Sequence, residues 1–312
     1  MIELARAQDE EVGDGTTSVI ILAGEMLAVA EQFFTKEIHP SVVVNGYYKA
    51  LEDALKIAET LAMPVDINNQ AEVQDIVKSC LGTKFASKWG NLISDLALKA
   101  VSIVHNKESH VFDCDIKKFA RVEKIPGGLL EDCQVLDGIM LNKYLIHPQM
   151  RTKIEKPRII LLDCGLEYKK GESQTNVEFT KETDFAKTLD EERKEVKAFC
   201  DHIIKLKPDV VVTEKGVSDL AAHYLHKANI SCIRRLRKTD NNRLAKVSGA
   251  TIVNRPEELQ DSDIGTKCGL FEMKKIGDEY WCYFIKCQDP KACTICLRGV
   301  SKVSGLLYNF LL

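Results

Sequence analysis

From Thr16 onward the apolar residues Val19, Ile20, Leu22, Ala23, Met26, Leu27 and Ala30 recur at the spacing of one helix face. This predicts a helix over 16–35 with Asp14 or Gly15 at its N-cap end. His39-Pro40 interrupts the pattern, and Pro40 suits the first turn of a second helix, 40–61, carrying Val43, Tyr47, Ala50, Leu51, Ala54, Leu55 and Ala58. Met63-Pro64 closes it. Two further helical stretches are expected at 70–81 and 84–105.

Beyond Ser109 the period changes. Segment 119–125, the turn Pro126-Gly127-Gly128 and segment 129–141 read as a hairpin. After Pro157, short runs rich in Ile and Val alternate with helical patterns: strands at 158–163, 209–213, 230–236 and 250–253, helices at 184–205, 217–227 and 239–248. Such alternation predicts a mostly parallel sheet with crossover helices. A second hairpin is expected around Gly277-Asp278.

The 312 residues are 45% hydrophobic and 29% charged with a net charge of -3, the balance of a folded globular chain of about two domains. That charge calls for neither nucleic acid nor an anionic membrane as partner. No basic segment followed by an apolar run opens the chain, and no stretch of about 18 uninterrupted apolar residues occurs. Eleven cysteines spread between Cys80 and Cys296 lack the density of a disulfide scaffold, so reduced thiols and a cytoplasmic location are expected.

Chemistry concentrates in the turn VGDGTTS at 12–18. Gly13 and Gly15 let the backbone approach a ligand, Asp14 is a candidate metal ligand, and Thr16, Thr17 and Ser18 bring hydroxyls and first-turn N–H groups to phosphate oxygens. The bland alternative for Asp14 is a helix N-cap, worth roughly 1 kcal/mol. No Walker phosphate loop accompanies the turn. The basic run Arg234, Arg235, Arg237 and Lys238, with Arg243 and Lys246, reads as a solvated strand end or a binding surface. Cys282, Cys287, Cys293 and Cys296 include a C-x-x-C, but their spacing is not that of a standard zinc finger, and the flanking strands favour burial. His223 and His226 sit on one helix with no acidic third ligand in evidence. No Ser-His-Asp or Cys-His nucleophile pattern is present.

The order VGDGTTS, RVEKIPGGLLED, HPQM, PRIILLD, LEYKKGESQT, KPDVVVTEKGVSDLAAHYL, RKTDNNRLAK and DPKACTICLRG resembles the group II chaperonins from about Met1 to Lys302. The resemblance implies a multidomain α/β chain. Its parts would be a partial all-helical equatorial domain over 1–65, the ascending limb of a small mixed α/β intermediate domain over 66–136, and an α/β apical domain with a helical protrusion over 137–290. The returning intermediate limb would start at 291–302, and 303–312 has no counterpart in the family pattern.

The resemblance also implies ATP with Mg2+ at the turn. Gly13, Gly15, Thr16, Thr17 and Ser18 would contact phosphates and Asp14 would hold the magnesium. In the same way Arg237, Lys238, Asp240, Asn241, Arg243, Leu244, Lys246 and Val247, with the neighbouring segment 166–172, would face unfolded polypeptide, and 175–205 would include the protrusion that forms a lid. Unfolded proteins such as actin and tubulin, and sibling subunits of a double ring, would be the partners. The family pattern has a second nucleotide loop and an Asn-Asp-Gly turn upstream of Met1, and a catalytic aspartate and a GGG turn downstream of the returning limb. The chain therefore reads as a truncated form of an ATP-dependent folding subunit, with a passive polypeptide-binding apical module as the alternative.

Overall fold

The structure, a computed structural model, describes residues 1–67, 69–82, 89–105, 115–168 and 182–299. The expected elements at 84–88, the segment 169–172, the polar lead at 175–181 and the tail at 303–312 lie outside the described residues. The chain divides into two compact units, Met1–Asn68 and Asn69–Leu312.

Unit 1 holds α1 (Ile2–Glu11), α2 (Thr16–Phe34) and α3 (Pro40–Leu61). The first helix was not foreseen from periodicity, because IELARAQDEE has no apolar stripe; it is built instead from strong helix formers. Glycine, not Asp14, occupies the N-cap of α2: Gly15 sits at φ 76°, a conformation open to glycine. His39 caps α3 by accepting from the Ser41 N–H at 3.3 Å, with Pro40 in the first turn. The Tyr47 hydroxyl donates to the Met26 carbonyl and ties α3 to α2.

Little in unit 1 is buried. Ala30 is its sole buried hydrophobic residue, while Ile21, Leu22, Leu27, Leu51, Leu55 and Ile57 are exposed. One helix among the described residues, α2, is long and apolar enough to cross a membrane by length and composition, with a mean hydropathy of 1.4. The charged Glu25 and Glu31 interrupt its apolar run, which is why no uninterrupted stretch marks it in the sequence.

Unit 2 begins with α4 (Gln70–Leu81) and α5 (Gly90–Val104), which join through Leu81 and Ile93 with Val77 and Trp89. The next face of α5 packs Leu96, Ala100 and Val104 onto a three-stranded sheet of β1 (Ala120–Pro126), β2 (Gln134–Leu136) and β11 (Cys293–Gly299). A short helix, α6 (Ile116–Phe119), leads into β1, capped by the Asp115 carboxylate accepting from Lys118 N–H at 3.0 Å.

The expected hairpin at 119–141 does not form. The sheet order is β1-β11-β2, so a strand from the far end of the described chain separates its two arms. Strand β1 runs parallel to β11 from Ala120↔Cys293 to Pro126↔Gly299. After Gly127, whose N–H donates to Gly299 O at 2.8 Å, the chain makes one 3-10 turn at Leu130–Asp132. That turn displaces it far enough for β11 to lie between. Strand β11 is buried at nearly every position, as a central strand requires.

The second sheet, β3-β10-β9-β4, contains β3 (Ile139–Leu141), β4 (Lys153–Glu155), β9 (Leu270–Ile276) and β10 (Glu279–Ile285). Its β9–β10 hairpin turns at Gly277-Asp278 as expected, with Leu270↔Ile285 and Ile276↔Glu279 in register. Strands β3 and β4, too short to carry a period, extend its two edges. Phe271 and Phe284, both fully buried, meet at 5.0 Å between ring centres.

The third sheet is wholly parallel, in the order β7-β6-β5-β8. It comprises β5 (Ile159–Leu162), β6 (Val210–Thr213), β7 (Ser231–Ile233) and β8 (Ile252–Val253), linked by α7 (Glu182–Lys205), α8 (Asp219–Lys227) and α9 (Lys238–Ser248). Ile159, Ile160, Leu161, Leu162, Val210, Val211 and Val212 are all fully buried. Helices on both faces explain why these strands read as continuous apolar runs rather than alternating ones. The largest hydrophobic cluster of the chain joins this sheet to the second one.

Candidate functional site

In unit 1 the turn between α1 and α2 is built by two glycines in left-handed conformations, Gly13 at φ 75° and Gly15 at φ 76°. The end of α1 holds it: Gln8 O accepts from the N–H of Val12 at 3.0 Å and of Gly13 at 3.3 Å, and Gln8 Nε2 donates to Asp14 O at 3.0 Å. Because the N-cap is glycine, no side chain caps the first turn of α2. The N–H groups of Thr16, Thr17 and Ser18 precede the first intrahelical bond, Val19 N–H to Gly15 O at 3.0 Å, and so point out of the helix end. A helix that withholds its own cap and surrounds its N-terminus with hydroxyls and close-approach glycines fits a phosphate group. Asp14 lies exposed at the tip of this turn.

In unit 2 the C-terminal ends of the parallel strands gather the basic run. Arg235 N–H donates to Lys215 O at 3.1 Å and Leu236 N–H to Thr213 O at 3.0 Å, so the segment after β7 lies along the loop after β6. Leu166 N–H donates to Gly216 O at 3.0 Å and brings the loop after β5 to the same place. Asn241 Nδ2 donates to Glu214 Oε1 at 2.8 Å and fixes the start of α9 against it. In parallel α/β sheets this carboxyl edge is where binding residues collect.

The structure divides the residues that sequence reasoning placed on this surface. Arg237, Lys238 and Lys246 are exposed, together with Arg235 and Thr239. Asp240, Asn241, Arg243, Leu244 and Val247 are buried inside the unit, and so is Leu166, while Glu167 and Tyr168 are exposed. Leu244 and Val247 belong to the main hydrophobic cluster, as expected for the inward stripe of an amphipathic helix. Five of the eight residues therefore anchor α9, and three present charge to solvent.

The buried charges form a network that sequence spacing does not announce. Asp240 Oδ1 accepts from Arg243 on its own helix and from Arg121 Nη1 on β1 at 2.9 Å, and Arg121 Nε donates to Glu123. Burial raises the Glu123 carboxyl above its ordinary pKa, with Arg121 pulling the other way. Burial likewise lowers the Arg243 guanidinium, opposed by Asp240. A small cavity of about 190 Å³ lies beside the network, lined by Arg121, Glu123, Asn142, Lys143, Arg237 and Asp240. The network couples α9 to the first sheet of the unit.

The remaining sequence candidates find ordinary places. Cys282 Sγ donates to Lys143 O at 3.1 Å, and Cys293 and Cys296 are buried within β11. His226 stacks on His147 at 4.5 Å between ring centres, and His223 lies exposed beside Tyr224.

The TCP-1/cpn60 chaperonin family pattern matches residues 1–304. The chain is 64% identical over 304 residues to the T-complex protein 1 subunit gamma of Oxytricha granulifera, covering 97% of this chain and 54% of that protein. It is 57% identical over 302 residues to the Homo sapiens protein of the same name, covering 97% and 55%. The chain thus spans about half the length of the curated relatives it matches. Among solved structures, the open state monomer of a group II chaperonin from Methanococcoides burtonii superposes with a TM-score of 0.67 at 30% identity, covering 96% of this chain and 68% of that one.

Proposed function

The chain belongs to the TCP-1/cpn60 chaperonin family, and from that premise we propose that it serves an ATP-dependent chaperonin, binding unfolded polypeptides and assisting their folding. The observation that carries the proposal is the exposed basic set Arg237, Lys238 and Lys246, held at the carboxyl edge of a fully parallel sheet by a helix whose other face is buried. Unfolded actin and tubulin, with mixed polar and charged segments, are the partners we assign to it. The three cations meet acidic stretches of such chains without demanding a fixed sequence.

In this reading unit 1 belongs to the equatorial domain, α4 to β2 to the ascending intermediate limb, and β3 to β10 to the apical domain. The turn at 12–18 supplies one side of a nucleotide site. The N–H groups and hydroxyls of Thr16, Thr17 and Ser18, with the Gly13 and Gly15 backbone, would hold phosphate oxygens, and Asp14 would hold Mg2+. ATP hydrolysis, where it occurs, supplies the energy for domain movement. The matched region includes α2, so its apolar surface is assigned to packing against protein, from sibling subunits in a cytoplasmic double ring or from its own subunit.

A second reading, a passive polypeptide-binding module, is favoured by one contrast among the described residues: the hydrophobic clusters lie in unit 2, whereas unit 1 buries a single hydrophobic residue, Ala30. Binding of fluorescently labelled, denatured actin separates the proposal from its failure. The triple variant Arg237→Glu, Lys238→Glu, Lys246→Glu is expected to bind at least about fivefold more weakly, on the order of 1 kcal/mol. Unchanged binding would remove this surface from the account. Sedimentation with sibling subunits and Mg-ATP then distinguishes ring incorporation from the passive module.

A further inference from the structure

Two cysteines outside both candidate sites face each other where the β9–β10 hairpin ends. The register Leu270↔Ile285 on one side and the bond from Gln288 N–H to Lys267 O, 2.9 Å, on the other bracket Cys268 and Cys287 and place them opposite one another across the two chains. Between them the backbones approach closely: a Cβ added at Gly269 would lie 2.4 Å from Lys286 O. Directly opposed residues of antiparallel chains have Cα atoms about 4.5–5.5 Å apart, inside the range a disulfide spans. Cys268 Sγ lies 3.5 Å from Leu270 O, and Cys287 Sγ lies 3.7 Å from Phe284 O. Cys268 is buried and Cys287 is half-exposed, so the pair has one inner and one outer sulfur.

We infer that Cys268 and Cys287 form a peroxide-sensitive thiol pair that closes a cross-strand disulfide. Burial pushes Cys200 and Cys282 up to about 12 and Cys296 up to about 11. A partly accessible thiol directly opposite a second thiol is the arrangement of a reversible redox site.

The chemistry balances with hydrogen peroxide as the two-electron oxidant. The thiolate of one cysteine attacks one peroxide oxygen, the O–O bond breaks, and the departing hydroxide takes up a proton to leave water and a sulfenic acid. The sulfur of the other cysteine then attacks the oxidised sulfur, the S–O bond breaks, and a second water leaves with the second thiol's proton. Two thiols lose two electrons and one peroxide becomes two waters. Formation of the bond would fasten the 264–268 segment, whose Lys267 N–H reaches Ser248 O at the end of α9, to the strand end that leads into β11. It would therefore connect the redox state of the pair to the binding helix.

The test treats the native 312-residue chain with hydrogen peroxide, alkylates the remaining thiols after denaturation, and reads the linkage by peptide mass spectrometry. The expected result is a peptide pair joined through Cys268 and Cys287 with the loss of two hydrogens, reversed by dithiothreitol. Cys268→Ala and Cys287→Ser should each abolish the linked peptide pair. Both thiols alkylated after treatment, or Cys287 joined instead to Cys293, would overturn the inference without touching the proposed chaperonin role.

Discussion

Replacing Asp240 by alanine removes the carboxylate that bonds both Arg243 and Arg121. The Arg243 side chain is only 5% exposed, so its charge would remain in the interior without its nearest anion. Removing one partner of a buried ion pair costs about 3–5 kcal/mol. The Arg121 arm adds little, since that side chain is 30% exposed and keeps Glu123. A loss near the low end, about 3 kcal/mol, is therefore expected, and with a urea slope of roughly 2–3 kcal/mol/M the midpoint falls by about 1 M. Trp281 is the natural reporter, buried against Ile125, Met140 and Cys296 in unit 2, in a Trp89→Phe background that leaves it the single tryptophan. The paired variant Asp240→Leu with Arg243→Met, which leaves no unmatched buried charge, should lose less than Asp240→Ala alone. A midpoint for Asp240→Ala within about 0.2 M of the parent would refute the reasoning that this network holds α9.

The Glu123 carboxyl, raised by burial above its ordinary 4.5, binds its proton more tightly folded than unfolded, so stability falls as pH rises through the window between those values; Glu123→Gln should flatten that slope in urea titrations at stepped pH, and an unchanged slope would reassign it. Gly138→Ala should cost about 3 kcal/mol or prevent folding of unit 2, because its Cβ would lie 1.9 Å from Phe284 O, whereas Gly127→Ala, at φ 86° in open space, should cost about 1–2 kcal/mol; equal effects in thermal melts would contradict the close approach of β3 to β10. Ile21→Lys with Leu27→Lys should lower binding of a hydrophobic dye to the isolated chain and weaken its incorporation into any higher assembly, and a fully incorporated variant would show that this face of α2 packs against nothing.

Periodicity located what local forces decide. Helices α2 and α3 and the parallel strands β5 and β6 lie where apolar spacing puts them, although only the strands are buried. The hairpin expected at 119–141 fails for a reason no local pattern contains: β11, about 170 residues further on, competes for the edge of β1 and is long and apolar enough to occupy the centre. Strands β3 and β4, three residues each, carry no readable period and exist through pairing with β10 and β9.

The sites divide in the same way. At the turn 12–18 the left-handed backbone was legible, because glycines stand where it occurs, Gly13 at φ 75° and Gly15 at φ 76°. At α9 the residue types were legible but their direction was not. Asp240, Asn241 and Arg243 look like surface residues, and they lie buried because Arg121 and Glu214 supply partners from distant segments. A polar residue whose partner is more than a hundred positions away, as Arg121 is from Asp240, leaves no signal in its own neighbourhood.

The measurement closest to the central claim is photo-cross-linking of unfolded polypeptide from defined positions on unit 2. A benzophenone placed at Lys238, on the exposed start of α9, is expected to capture denatured actin and not native actin. The same group at Lys275, on the exposed end of β9, is expected to capture neither. Equal capture from both positions, or capture from Lys275 alone, would contradict the assignment of the carboxyl edge of the parallel sheet as the surface that receives unfolded chains.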